Sequence, residues 1–272
     1  MNEANTAGSA STRSTPRPGV VVTGAARGIG AAMAGRLAAD GYLVVAIDRS
    51  EEALAETVAR LPGEGHQALV GDVADEALLT GACELGAATP GGLTGFVANA
   101  GVARPGASVD YARSDWEELL QVNLTAPFLG ARTARRFMES GGSMVLISSI
   151  NGALGMGGRA AYCAAKAGVN GLVRSLAVEW GPDRIRVNAV APGTILTEMA
   201  KEFIATGYAT AESMAARVPM GHSGQPDDIA ATVAFLLSDD AKYITGAVVP
   251  VDGGWAINGV ESERPAAAVA NP

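Results

Sequence analysis

The sequence predicts an α/β fold built on one doubly wound parallel sheet with helices on both faces. Short runs rich in Val and Ile alternate with longer stretches of helical period along the chain. The chain has 272 residues, of which 48% are hydrophobic, so it can bury the core of one large domain. Its 35 glycines and 5% aromatic content suit tight turns and closely packed helices.

About seven apolar runs are expected to form the strands of this sheet. Their hydrophobicity is continuous rather than alternating, which indicates strands covered on both faces and therefore parallel pairing with right-handed crossovers. In chain order the predicted strands are 20–22, 43–47, 68–70, 96–98, 144–147, 187–190 and 248–251, with a helix at 229–237 before the last. Ligands of such sheets bind at the carboxyl ends of the strands.

The chain is predicted to hold one folded domain between two flexible ends. Residues 1–17 are rich in Ser, Thr and Pro and lack the apolar stretch of a secretory signal. The domain is expected to span residues 18–258, with a Met- and Ala-rich lid at 194–220, and residues 259–272 form a flexible tail. We find no internal repeat or linker that would divide the domain.

Charge and composition exclude several classes of function. The formal net charge of −8 argues against a nucleic-acid partner, since such proteins concentrate Lys and Arg. No apolar run approaches the ~18 residues that a membrane helix needs, so we expect a cytoplasmic protein. Cys83, Cys163, His66 and His222 belong to no metal-ligand or redox motif, and no metal site is predicted.

A glycine-rich turn directly follows the first predicted strand. The sequence TGAARGIG at positions 23–30 leads into a helical segment. Glycines let the backbone approach a pyrophosphate, and a helix N-terminus offers unpaired N–H donors. A glycine cluster alone also fits an ordinary tight turn, but its place between strand and helix favours a dinucleotide site. The predicted cofactor contacts in this turn are Gly24, Arg27, Gly28, Ile29 and Gly30.

The second predicted strand ends at Asp48, which favours NAD over NADP as the cofactor. A carboxylate there can accept hydrogen bonds from the adenosine ribose hydroxyls and would repel a 2′-phosphate. The adjacent Arg49 and the loop residue Arg27 are able to compensate for that repulsion, so NADP stays open as the alternative.

Polar turns also follow the third and fourth predicted strands. Asp72 and Val73 follow the third strand, where the carboxylate is expected to reach the adenine amino group. Asn99, Ala100 and Gly101 follow the fourth. Asp and Asn are also common as turn and cap residues, so these five positions serve as supporting cofactor contacts.

Tyr162 and Lys166 lie four residues apart in a predicted helix of small residues, so their side chains share one face. A free tyrosine titrates near ~10, and a neighbouring cation is expected to lower the pKa of Tyr162. The phenol then exchanges a proton with a substrate oxygen while a hydride moves at the adjacent carbon. Ser148 and Ser149 end the fifth strand, where a hydroxyl can hold that oxygen. Each pattern alone also fits an ordinary helix surface or turn, but together they indicate an oxidoreductase.

As a set, these motifs resemble the short-chain dehydrogenase/reductase family. They are TGAARGIG, NAG, VNL, SSING, YCAAK, RVNAVAPGTILT and VVPVDGG, in family order over roughly residues 19–255. The resemblance implies a single Rossmann-like domain and a catalytic group of Asn123, Ser149, Tyr162 and Lys166. In the family the tyrosine is the acid/base and the serine orients the substrate. The lysine binds the nicotinamide ribose and lowers the tyrosine pKa, while the asparagine holds a water.

The resemblance also implies further cofactor contacts and an assembly. Tyr162 and Lys166 contact the cofactor themselves, and the segment from strand six embraces the nicotinamide and its phosphates through Pro192, Gly193, Ile195 and Thr197. Homotetramers are usual in the family, often through the helices that carry the asparagine and the tyrosine. We therefore expect a homotetramer.

The residues around the reaction centre predict a small uncharged substrate, a cyclic or aryl-bearing secondary alcohol or ketone. The predicted substrate pocket contains Asn151, Ala153, Leu154, Met156, Met199 and Phe203.

Two alternatives remain open at this point. One is a 3-oxoacyl-[acyl-carrier-protein] reductase using NADPH, with Arg132, Arg135 and Arg136 attracting the acidic carrier. Asp48 and the negative net charge weigh against it. The other is a nucleotide-binding sensor or scaffold without catalysis, because a fold alone never establishes activity. The intact catalytic positions weigh against that second alternative.

Overall fold

The fold centres on a seven-stranded sheet in which every pairing is parallel. In this computed structural model, residues 16–198, 200, 204 and 210–258 are described. The strands are β1 (Gly19–Thr23), β2 (Leu43–Asp48), β3 (Gln67–Val70), β4 (Leu93–Ala98), β5 (Gly142–Ile147), β6 (Ile185–Pro192) and β7 (Val248–Val251). The predicted strands and their parallel arrangement are confirmed, with each strand extended by a few residues at most except the last, which matches.

The strand order is β3-β2-β1-β4-β5-β6-β7. The chain runs outward from β1 to β3 and then returns to place β4 beside β1. At such a reversal the connections leave the sheet in opposite directions and open a crevice at the carboxyl ends of the strands. The topology therefore places a ligand site beyond Thr23 and Ala98, the last residues of β1 and β4.

Helices cover both faces of the sheet. They are α1 (Gly28–Ala39), α2 (Glu51–Ala59), α3 (Glu76–Ala87), α4 (Arg113–Leu120), α5 (Ala126–Arg135), α6 (Ala160–Trp180), α7 (Ala211–Ala216) and α8 (Pro226–Leu237). A π-helical turn, Gln121–Thr125, joins α4 to α5. No helix in the described part of the chain is long and apolar enough to cross a membrane.

Two apolar clusters, one on each face, explain the continuous hydrophobicity of the strands. Val20 and Val22 pack with α1 and α8 in one cluster, whereas Val21 between them belongs to the cluster that includes α5 and α6. All three side chains are fully buried. Val70 on the edge strand β3 is 46% exposed, so the expectation of two covered faces fails there because an edge strand has only partial cover.

The N-terminal boundary of the fold differs from the prediction at one residue. Arg17, which the sequence assigned to a flexible extension, donates hydrogen bonds to the carbonyls of Gly41, Tyr42 and Glu64. Its guanidinium therefore ties the start of β1 to the loops beside β2. The remainder of the predicted extension and the predicted tail, 1–15 and 259–272, lie outside the described residues.

The predicted lid is described in part. Ile195 forms an isolated parallel bridge with Gly224, which fixes the segment that leaves β6. Further on, α7 begins with a capping box in which the Thr210 and Ser213 side chains accept hydrogen bonds from each other's backbone N–H. These bonds anchor both ends of the segment; its role as a lid stays a prediction.

Helix α5 approaches β4 closely because Gly130 has no side chain. A Cβ added at Gly130 would lie 2.4 Å from Cζ of the fully buried Phe96. We expect Gly130→Ala to lower the free energy of unfolding by about 1–3 kcal/mol through overpacking. Urea denaturation measures this loss. The double variant Gly130→Ala/Phe96→Leu should recover part of the lost stability. If the losses of the two single variants simply add in the double variant, the two side chains do not compete for space.

Candidate active site

One cavity of about 460 Å³ opens at the carboxyl ends of the central strands. Its volume lies in the range of small-molecule and cofactor sites. The wall brings together most of the residues that the sequence predicts: Gly24, Arg27, Gly28, Ile29, Gly30, Asp48, Arg49, Asn99, Ala100, Gly101, Asn123, Ser149, Asn151, Met156, Tyr162, Lys166, Pro192, Gly193, Ile195 and Thr197. Residues more than 160 positions apart thus share one surface.

The glycine turn leaves the start of α1 open to an anion. Gly24 and Gly28 adopt positive φ angles of 66° and 53°, and a Cβ at Gly30 would lie 1.8 Å from the Gly24 carbonyl oxygen. The helix has no side-chain N-cap and no acidic residue in its first turn. Its free N–H groups and dipole are therefore available to a phosphate, so the turn fits the pyrophosphate of a dinucleotide.

Thr23 and Asn99 hold this turn against β4. The Thr23 hydroxyl accepts hydrogen bonds from the N–H groups of Asn99 and Ala100 at 3.0 and 3.1 Å. The Asn99 amide in return donates to the carbonyls of Thr23 and Gly24, both at 3.0 Å. Asn99 lines the cavity as predicted, but its amide is used for bracing the turn. Sequence reasoning missed Thr23, although its place as the last residue of β1 is a usable signal.

Asp48 also braces the turn while facing the cavity. One carboxylate oxygen accepts from the N–H of Ala26 and the other from the N–H of Ser50, each at 3.0 Å. Each oxygen keeps a further acceptor position, so the carboxylate can still bind hydroxyl groups. The Arg27 guanidinium bonds to the Ser50 hydroxyl at 3.4 Å, beside the same carboxylate.

Asp72 and Val73 do not reach the cavity wall. The Asp72 carboxylate accepts from the N–H of Ala74 at 2.8 Å and so closes a local turn. Val73 is 8% exposed and packs in the apolar core. A local turn and core packing thus involve these two residues, and their contact with adenine stays a prediction.

Ser149, Tyr162 and Lys166 meet at the other end of the cavity. Tyr162 and Lys166 project from the first two turns of α6, and the ammonium nitrogen lies 5.7 Å from the centroid of the phenol ring. That nitrogen donates to the carbonyl of Ile147 at 2.8 Å. The Ser149 hydroxyl forms a hydrogen bond with Tyr162 and accepts another from the N–H of Asn151 at 3.1 Å.

Burial shifts both titratable groups of this centre. It raises the pKa of Tyr162, and the hydrogen bond with Ser149 and the positive charge of Arg159 only oppose that rise. It lowers the pKa of Lys166 to about 8. The pKa of Tyr162 is therefore not lowered in the polypeptide on its own, because desolvation of the phenolate outweighs the nearby charges. The effect of Lys166 on the phenolate stays a prediction.

Asn123 is fully buried in the π-helical turn between α4 and α5. Its amide donates to the Val102 carbonyl at 2.8 Å, and its side-chain oxygen accepts from the Val102 N–H at 3.1 Å. A Cβ at Gly101 would lie 2.7 Å from that oxygen. Asn123 thus fixes the segment after β4 beside Lys166; its role as a water ligand stays a prediction. Such π-helical insertions often occur at functional sites.

The neighbouring Ser148 has a different role from Ser149. Its hydroxyl donates to the side-chain oxygen of Asn170 at 2.6 Å and lies 3.2 Å from the Lys166 carbonyl oxygen. The Asn170 amide donates to the Gly152 carbonyl at 3.2 Å. These bonds join the end of β5 to α6 and so hold Ser149 in place opposite Tyr162.

The predicted substrate pocket is only partly assembled. Asn151 and Met156 line the cavity, whereas Ala153 and Leu154 do not. Ala153 is exposed, and the Leu154 carbonyl accepts a hydrogen bond from the Cys163 thiol of α6 at 3.9 Å. Met199 and Phe203 lie outside the described residues. Sequence reasoning missed Arg159, which lines the cavity three positions before Tyr162 and therefore on the same side of α6.

Comparison with known proteins gives the family. The sequence model of a family described as enoyl-(acyl carrier protein) reductase, of the short-chain dehydrogenase type, matches residues 24–256. The chain is 44% identical over 241 residues to cis-4-hydroxycyclohexanecarboxylate dehydrogenase of Sinomonas cyclohexanicum, covering 86% of this chain and 95% of that enzyme. This protein is a member of the short-chain dehydrogenase/reductase family.

Solved structures of the family have the same fold. The crystal structure of levodione reductase superposes with a TM-score of 0.84 at 34% identity, covering 88% of this chain and 98% of the other. A single-residue variant of actinorhodin polyketide ketoreductase with NADPH gives a TM-score of 0.83 at 30% identity, covering 88% and 97%. The Rossmann-like sheet predicted from the sequence is thereby confirmed.

The buried ammonium of Lys166 makes stability depend on pH. Its pKa is about 8 in the folded protein and 10.5 ordinarily, so between these values the unfolded chain binds a proton that the folded protein lacks. The free energy of unfolding therefore rises with pH across this interval, by up to about 3 kcal/mol. Urea unfolding of wild type and Lys166→Met measures the difference, with Lys242→Met at an exposed position as control. A difference that does not change with pH would contradict the lowered pKa.

Proposed function

We propose that this oxidoreductase uses NAD(H) to interconvert a cyclic secondary alcohol and the corresponding ketone, with Tyr162 as the acid/base. The observation that carries the proposal is a single cavity with two chemically distinct ends. The glycine turn follows β1 and Asp48 ends β2, whereas Ser149 follows β5 beyond β4, so the two groups stand at opposite ends of the lining. A bound dinucleotide and a substrate oxygen can then share the same cavity.

The cofactor end supports NAD. The open first turn of α1 suits the pyrophosphate, and the Asp48 carboxylate suits the ribose hydroxyls but repels a 2′-phosphate. Arg27 and Arg49 also line this end and are able to bind such a phosphate, and the ketoreductase neighbour was solved with NADPH. We favour NAD because the Asp48 carboxylate accepts hydrogen bonds from two backbone N–H groups, which hold it in this end of the cavity.

The catalytic end supports proton transfer at a substrate oxygen. When bound, the nicotinamide accepts or supplies the hydride at the carbon that bears this oxygen. Ser149 and Tyr162, already hydrogen-bonded to each other, present two hydroxyls to the oxygen. In alcohol oxidation the hydroxyl proton passes to the Tyr162 phenolate, and in ketone reduction the phenol returns it. The Lys166 ammonium, held by the Ile147 carbonyl, stabilises the phenolate and offers its other N–H groups to the ribose.

The substrate end supports a ring-shaped molecule. Met156, Ile195 and Trp255 give this part of the wall an apolar character. The relative that is 44% identical is named for a hydroxylated cyclohexane ring. A cyclic secondary alcohol combines the apolar surface that such a wall buries with the one hydroxyl that Ser149 and Tyr162 bind.

The acyl-carrier-protein alternative has one observation in its favour, the description of the matching family. The basic patch suggested for the carrier is weakened in the structure. Arg132 forms an ion pair with Glu76, and Arg135 pairs with Asp183 at 2.6 Å. A sensor or scaffold needs none of the contacts around Tyr162, so the assembled catalytic end favours an enzyme.

Tyr162→Phe should reduce kcat for ring ketones by about 100-fold or more, because general acid catalysis at the substrate oxygen is lost. The assay follows absorbance at 340 nm with NADH and NADPH on cyclohexanone derivatives, aryl ketones and an acetoacetyl thioester. NADH binding, followed by its fluorescence, should persist in the variant. Unchanged turnover would remove Tyr162 from the mechanism, and faster NADPH-dependent thioester reduction would favour the carrier-protein alternative.

Asp48→Asn should raise the ratio of kcat/KM with NADPH to that with NADH by about tenfold, since the repulsion of the 2′-phosphate disappears. Asparagine keeps one oxygen that accepts a backbone hydrogen bond, so the turn is largely preserved. Asp40→Asn on the exposed end of α1 has the same change of charge and serves as control. An unaltered cofactor ratio would show that Asp48 does not select the cofactor.

A further inference from the structure

Arg159 is a cation of the catalytic end that exchanges no proton with the substrate in the proposed reaction. It is half-buried and lines the cavity together with Tyr162, Met156 and Trp255. Its guanidinium carbon lies 5.8 Å from the centroid of the Tyr162 ring. A charged side chain therefore lies next to Tyr162, the proposed acid/base. The wall around it is otherwise largely apolar.

The backbone that carries Arg159 is held on both sides. Its N–H donates to the Met156 carbonyl at 3.2 Å, and its own carbonyl accepts the first hydrogen bond of α6 from Cys163 at 2.9 Å. The preceding residue, Gly158, accepts a hydrogen bond from the N–H of Gly106 at 2.9 Å. These bonds fix the origin of the side chain relative to Tyr162, which a selective binding group requires.

The positively charged residues of the cavity wall lie in different parts of the cavity. Lys166 is buried under Tyr162 and is bound to the Ile147 carbonyl. Arg27 and Arg49 lie in the cofactor end with Asp48. This leaves Arg159, which lines the cavity with Met156 and Trp255, as the described cation of the wall to which a part of the substrate other than the reacting oxygen can be assigned. Glu198 is a carboxylate that also lines the cavity.

A guanidinium offers N–H donors in a planar fork that matches a carboxylate, and two charge-assisted hydrogen bonds form at once. Resting on the proposed function, we propose that Arg159 binds an anionic group, a carboxylate, on the ring substrate, at the side opposite the carbon that is oxidised or reduced. The preferred substrate is then an alicyclic hydroxy or oxo acid. This replaces the sequence-based expectation of a fully uncharged substrate, which took no account of Arg159.

The test compares two ketones that differ in charge but little in shape, 4-oxocyclohexanecarboxylate and 4-oxocyclohexanecarboxamide, with NADH. We expect wild type to prefer the carboxylate in kcat/KM. Arg159→Gln should reduce that preference by about 10- to 100-fold, the effect of hydrogen bonds to a charged group. Arg159→Lys should keep part of it, because the charge remains while the fork is lost.

The ratio of the two substrates separates binding from other effects of the variant. Arg159 also lies close to the Tyr162 phenol, and any effect of its loss on that phenol changes the turnover of both ketones equally. Only the loss of carboxylate binding therefore changes their ratio. Arg113→Gln, at a position whose side chain is 90% exposed in an ion pair with Glu117, makes the same charge change and should not alter the ratio. If Arg159 only forms an ion pair with Glu198, then Arg159→Gln and Glu198→Gln lower the stability of the protein without changing the ratio of kcat/KM for the two ketones. That result overturns the inference.

A calorimetric titration of cyclohexanecarboxylate into the NADH-bound protein tests the inference without turnover. Binding that disappears in Arg159→Gln supports it, even when no ring ketone is reduced and the proposed function falls. Ring ketones turned over with no preference for the carboxylate, in wild type and Arg159→Gln alike, would sink the inference and leave the proposed function standing. Neither turnover nor Arg159-dependent binding would overturn both.

Discussion

The hydroxyl of Thr23 links the two strands on which the whole site depends. It joins the end of β1 to the start of the segment after β4, while Asn99 returns two hydrogen bonds to the glycine turn. A Cβ at Gly30 would collide with the Gly24 carbonyl, so the turn adopts a conformation that admits no side chain there. The direction of α1, the position of Asp48 and the mouth of the cavity follow from that conformation.

The catalytic end depends on an equivalent set of bonds between β5 and α6. Ser148 reaches Asn170 and the Lys166 carbonyl, and the Lys166 ammonium reaches back to Ile147. Buried polar groups that are all paired specify one arrangement, since any other would leave a donor or acceptor unsatisfied. Ser149 and Tyr162 are therefore held in position before a substrate arrives, which lowers the cost of orienting it.

Electrostatics then divides the cavity. Positive side chains line the cavity of this acidic protein at three places: Arg27 and Arg49 with Asp48, Lys166 beside Tyr162, and Arg159, to which we assign a substrate carboxylate. In the polypeptide alone, burial disfavours the charged forms of both the Tyr162 and the Lys166 side chains. The chemistry that we propose therefore needs the charges and hydroxyl groups of a bound cofactor and substrate in addition to the side chains of the protein.

The sequence predicted the seven strands and their parallel pairing from its local period, because continuous apolar runs require two covered faces, and it placed Tyr162 and Lys166 together because residues four apart share a helix face. Other wall residues, such as Asn123 and Pro192, followed from the family resemblance, and the strand order came only from the structure. The tertiary structure alone decided which polar groups face a ligand and which brace the fold. Asp72 closes a turn and Val73 enters the core, Asn99 braces the glycine turn, and burial raises rather than lowers the pKa of Tyr162. Arg159 was likewise identified as a residue of the site only from the structure. Hydrogen-bond partners and burial depend on contacts between segments that are distant in sequence, so no local sequence pattern predicts them.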